Sequence, residues 1–66
     1  MAIIEEKLSV TEIKILQYLA DGERPSVRLH YTDATVRQYL FLIREKMGVP
    51  TTYNAIATAL RQGLID

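Results

Sequence analysis

The chain has 66 residues, a formal net charge of zero, one histidine and no cysteine, so disulfide staples, CxxC zinc sites and thiol catalysis are excluded. Its length is below the roughly 100–200 residues usual for one domain, which predicts a single domain over 1–66, with 1–7 as a tail and helix packing as the source of stability. No apolar run nears the roughly 18 residues of a membrane span, and Met1 to Lys7 has no signal-peptide pattern; the expectation is a soluble, cytoplasmic domain with no membrane partner.

The first helix is announced by Ser9-Val10-Thr11-Glu12, which has capping-box spacing. The Glu12 amide can donate to the Ser9 hydroxyl while the Ser9 amide donates back to the Glu12 carboxylate. Behind it Ile13, Leu16, Leu19 and Ala20 recur at helical spacing, widened by Ile15. Asp21-Gly22 ends this helix, which spans about 9–21. Pro25 suits a first helical position, and Pro25 to His30 makes at most about two turns. Thr32 is an N-cap, and Asp33 sits against the positive end of a helix dipole. Val36, Leu40, Ile43 and Met47 then mark the buried face of a third helix over 33–47, stopped by Gly48 and Pro50. Thr51 or Thr52 caps a last helix with Tyr53, Ile56, Leu60 and Leu64 inward, closed by Gly63. The fold class is all-α, with four helices.

No catalytic constellation is present. His30 stands alone and reads as a partly exposed helix residue, so neither a metal site nor acid–base catalysis is assigned to it. The three glycines each fall at a helix end, and none belongs to a phosphate-cradling loop. The chain is expected to be no enzyme and to need no cofactor.

Charge is unevenly spread. Residues 1–23 carry Glu5, Glu6, Glu12, Asp21 and Glu23 against Lys7 and Lys14, a balance of −3. Residues 24–46 carry Arg24, Arg28, Arg37, Arg44 and Lys46 against Asp33 and Glu45, a balance of +3. A polyanion can therefore be met only by the middle of the chain; a solvated surface explains the same cations. The order of elements, a short helix, a tight connection and a longer helix with basic residues outside, is that of a helix-turn-helix.

Leu8-Ser9, Glu12, Ile15-Leu16 and Leu19-Ala20 followed by Gly22 resemble the opening of the LuxR/GerE-type DNA-binding domain. Thr35-Val36-Arg37, Ile43 and Lys46-Met47-Gly48-Val49 are similar to its recognition helix and following turn. Ala55-Ile56, Ala59 and Gly63-Leu64-Ile65 resemble its closing helix. Region four of sigma factors shares the Thr35–Gln38 phrase but lacks the Gly-Val turn and the Gly-Leu-Ile ending. The resemblance implies a four-helix bacterial or phage transcription regulator that binds duplex DNA, as a homodimer joined through its last helix. With Met1 only seven residues before the domain, a stand-alone regulator is expected, governed by its amount or by a partner such as another regulator or RNA polymerase.

The chain departs from that pattern in three places. The stretch from Gly22 to Pro25 is about three residues short, with Pro25 and Ser26 where isoleucine and alanine are usual. Phe41 stands at a commonly polar contact position and Leu42 where asparagine often occurs. Thr52 replaces a usual arginine. Two functions from different classes follow. In the first, Arg37 and Gln38 read base edges, while Arg28, Tyr39, Arg44 and Lys46 hold phosphates, with Asp33 and Phe41 on the same DNA-facing surface. In the second, exposed Phe41 and Leu42 make a protein-binding module that sequesters or modulates a larger regulator. A dimer or partner interface is expected at Phe41, Leu42, Thr52, Ala55, Ala59 and Gln62.

The capping box gives the first test. Ser9→Ala removes the acceptor for an otherwise unpaired helix amide and should cost about 0.5–2 kcal/mol. Thermal unfolding should shift down by several degrees; an unchanged Tm would mean that the helix starts elsewhere.

Overall fold

Four helices make up residues 8–66, the part of the chain that this computed structural model describes. They are α1 (Val10–Ala20), α2 (Pro25–Leu29), α3 (Asp33–Met47) and α4 (Thr52–Arg61). The expected tail, 1–7, falls outside the described residues. Most boundaries follow from a local signal. Ser9 and Glu12 form the full capping box: the Glu12 amide donates to Ser9 Oγ at 3.2 Å and the Ser9 amide to Glu12 Oε1 at 2.8 Å. Thr32 and Thr51 accept from the amides of Thr35 and Asn54, capping α3 and α4. Gly48 ends α3 in the left-handed conformation at φ 67°, which glycine adopts without steric cost.

His30 departs from its expected place. It lies beyond the last turn of α2, exposed, as a left-handed C-cap with φ 59°. Histidine tolerates this region better than β-branched residues do. The conformation lets the Tyr31 amide return to the Ser26 carbonyl at 3.0 Å. Three residues, His30 to Thr32, then suffice to turn the chain from α2 into α3.

The core is built from Ile15 and Leu16 of α1, Val36 and Ile43 of α3, Ala55 and Ala59 of α4, and Ile65. Leu19, Leu29, Leu40, Met47 and Ile56 pack around it. α1 touches all three other helices, and α3 touches both α2 and α4. The face expected for α4 needs correction. Tyr53, Leu60 and Leu64 are exposed, Tyr53 at 80%, whereas Ala55 and Ala59 are completely buried. Alanine methyls let the α4 backbone approach the rest of the core closely, which larger side chains would prevent. Ala20 is likewise exposed at the end of α1. Beyond α4 the turn at Gly63 hands the closing apolar contact to Ile65, 4% exposed. The Asp66 amide donates to Gln17 Oε1 at 2.9 Å, and Gln17 Nε2 donates to the Asp66 carbonyl, so the chain end is pinned to α1.

Glu12 is the one buried charged residue among the described residues, 2% exposed. Lys46 Nζ, near the end of α3, donates to both of its carboxylate oxygens at 2.9 and 3.0 Å. One carboxylate therefore caps α1 and ties it to α3. Burial pushes its pKa up, but the bonds and charge of Lys46 and the bonds from Ser9 outweigh burial and hold it below the usual glutamate value. A depressed folded pKa means stability that is complete above the unfolded value, about 4.3, and is lost as pH falls through the folded one. Acid unfolding monitored by circular dichroism should show this loss, and Glu12→Gln should flatten it. Lys46→Ala should cost about 1–3 kcal/mol at neutral pH by leaving the carboxylate without its cation.

Candidate nucleic-acid interface

α3 has two unlike sides, set by its sequence period. Val36, Leu40, Ile43 and Met47 turn inward. Ala34, Arg37, Gln38, Phe41, Leu42 and Glu45 are exposed along the opposite side, with Phe41 at 54% and Leu42 at 43%. Between residues 34 and 42 the exposed side chains are a cation, an amide and apolar groups. Acidic side chains stand only at the two ends, Asp33 and Glu45. Because the inner side is fixed by the core, the outer one is presented on a rigid support.

The expected cations do not all reach this face. Lys46 is bonded to Glu12 and lies on the α1 side of the helix. Arg44 Nη1 donates to Thr52 Oγ1 at 3.0 Å, bracing the end of α3 against the start of α4. Arg28 pairs with Glu23, and its guanidinium lies 4.9 Å from the centre of the Tyr18 ring. Three of the four phosphate holders read from the sequence are thus engaged within the fold, Lys46 most firmly. The fourth, Tyr39, is half-buried, its ring stacked on Tyr31 with centroids 5.8 Å apart and planes 9° from parallel. Coulombic interaction with Tyr31 pushes the Tyr39 hydroxyl above the ordinary tyrosine value. It is therefore a neutral hydroxyl at physiological pH. Arg37 and Gln38 have no side-chain hydrogen bond among the described residues and point to solvent.

Two site residues were missed by sequence reasoning. Arg24 is exposed beside Asp33, with Nη2 and Oδ2 4.0 Å apart. Tyr31 supports Tyr39 from the turn between α2 and α3. Arg24 lies outside the blocks that carry the family resemblance, and no periodicity marks Tyr31.

No family model, curated protein or solved structure matches this chain. The site therefore rests on its own geometry.

The expected partner surface on α4 also changes. Ala55 and Ala59 are fully buried within the chain and cannot meet a second molecule. Thr52 is half-buried and holds Arg44; Gln62 remains exposed. The free side of α4 instead carries Tyr53 and Leu60, continued by Leu64. Substitutions should separate the two sides. Ala59→Leu overpacks the core and should lower the unfolding free energy by about 1–3 kcal/mol in a denaturant titration. Leu60→Gln should leave that free energy nearly unchanged; a large loss would return Leu60 to the core.

Proposed function

We propose that this chain is a small helix-turn-helix transcription regulator of the LuxR/GerE type, binding duplex DNA with α3 in the major groove. α2, the three-residue turn and α3 supply the two helices of such a unit. The observation that carries the reading is the chemistry exposed over residues 34–41 of α3. Arg37 suits the paired acceptors of guanine, Gln38 the donor and acceptor of adenine, and Ala34 and Phe41 the thymine methyl. All four are exposed together on a helix whose other side is locked into the core.

The net charge of zero fits this reading once the pairs are drawn. Glu12 is paired with Lys46, Glu23 with Arg28, and Asp33 stands beside Arg24, so most acidic charge near α3 is matched locally. The electrostatic share of binding should accordingly be small. A homodimer through the outer side of α4 belongs to the same reading, supported by the exposure of Tyr53, Leu60 and Leu64. Dimeric helix-turn-helix proteins bind two half-sites about one helical turn apart.

A second reading, a protein-binding module, is favoured by one observation. Phe41 and Leu42 are both exposed, although burying either fully would be worth about 1.5–3 kcal/mol. On that reading the same face meets another regulator, and the domain acts by occupying it.

Fluorescence anisotropy with random-sequence duplex DNA at low and moderate salt separates the two. Salt-dependent binding is expected, with a slope of log K against log salt of about −2 to −3 per chain if two or three phosphates are neutralised. Arg37→Ala should cost about 1–3 kcal/mol at one base position if it reads guanine, or lower the slope by about one if it holds a phosphate. The double change Phe41→Ser, Leu42→Asn should alter duplex affinity while the free chain stays folded. An Arg37→Ala variant that binds every duplex as the wild type does contradicts the DNA reading.

A further inference from the structure

An open groove runs between the end of α1, the start of α2 and the first turns of α3. Its lining includes Leu19 and Val36 at the base and Glu23, Arg24, Asp33 and Arg37 at the rim. Arg24 and Arg37 thus border one depression from two different elements. Their surroundings differ. Arg37 has no side-chain partner among the described residues, whereas Arg24 stands 4.0 Å from Asp33. Glu23 is drawn to Arg28, which leaves Asp33 as the acid facing Arg24.

We propose that Arg24 is a DNA phosphate contact masked by Asp33, and that binding exchanges the Asp33 carboxylate for a backbone phosphate. The inference rests on the DNA reading of α3 and adds to it a residue and a control on affinity. The exchange is physically easy. Both side chains of the pair are about two-thirds exposed or more, at 74% and 66%, and the separation is at the outer limit for an ion pair. Such a pair is held by little net free energy in water. A phosphate offers the planar guanidinium two acceptor oxygens and a bidentate geometry that the 4.0 Å contact lacks.

Asp33 also opens α3, the helix whose N-terminal half carries Arg37 and Gln38. Its carboxylate consequently sits where DNA phosphates approach, and like charges oppose that approach. The same acid that suits the start of a helix acts as a brake on polyanion binding. Neutralising it frees Arg24 and removes the repulsion together. Lys46 and Arg44 lie at the other end of α3, where Lys46 is bonded to Glu12 and one Arg44 nitrogen to Thr52.

Anisotropy titrations of one duplex from about 50 to about 200 mM salt test the exchange, because each neutralised phosphate adds about 3.5-fold to the affinity lost over that range. Arg24→Ala should bind all duplexes more weakly and lose about 3.5-fold less affinity across the range than the wild type. Arg24→Lys should keep the wild-type salt dependence. Asp33→Asn should bind more tightly than the wild type, and its gain should shrink in the Arg24→Ala background. Circular dichroism confirms that each surface variant is folded. If the wild type binds duplex DNA with the expected salt dependence but Arg24→Ala matches it, the exchange is wrong and the DNA reading survives. If Asp33→Asn weakens binding, the masking role is overturned. If the wild type binds no duplex, both fall together.

Discussion

The carboxylate of Glu12 is the point on which this small fold turns. It accepts from the Ser9 amide that begins α1 and from the ammonium of Lys46 at the end of α3. A buried carboxylate without such partners would be strongly destabilising in so small a core. With them it fixes the start of one helix against the end of another. The apolar layer of Ile15, Leu16, Val36 and Ile43 then closes between the two helices. α4 is laid against this pair by Ala55 and Ala59 and locked at its far end by Ile65 and the Gln17–Asp66 bonds.

The functional consequence is a division of labour among cations. Those that the fold needs, Lys46 and Arg44, lie towards the C-terminal half of α3, where α1 and α4 meet it. Arg37 and Arg24, both exposed, lie at its N-terminal half and beside it. A chain with no net charge can thereby present a locally cationic end without attracting polyanions over its whole surface. On the proposed reading, recognition depends on a few base-edge contacts rather than on bulk electrostatics, which favours discrimination over raw affinity.

Much of the architecture was legible in the sequence because its signals are local. The Ser9–Glu12 box, the Thr32 cap and the Gly48 stop each depend on residues a few positions apart, and each lies at the helix end they predicted. The four-step and three-step spacing of Val36, Leu40, Ile43 and Met47 likewise gave the inner side of α3. What failed was non-local. Sequence periodicity favoured Tyr53, Leu60 and Leu64 as the inner side of α4, because large apolar residues dominate any hydrophobicity pattern. The close approach that selects Ala55 and Ala59 depends on how near another helix lies, which periodicity does not record. Lys46 was read as a phosphate contact for a similar reason. Its partner Glu12 is 34 positions away, and nothing along the chain announces their meeting. His30 read as helical because a left-handed cap at a non-glycine residue has no strong local signature.

On the DNA reading, the outer side of α3 at its N-terminal half is the surface that meets the duplex. The most direct measurement is nuclear magnetic resonance of the isotope-labelled chain titrated with a short duplex at low salt, following every backbone amide. Shifts should concentrate at Ala34, Arg37, Gln38 and Phe41 and reach Arg24 and Asp33, while the amides of Tyr53 and Leu60 on the outer side of α4 stay nearly unmoved as duplex is added. Shifts centred on α4 alone, or none anywhere at saturating duplex, would contradict that reading.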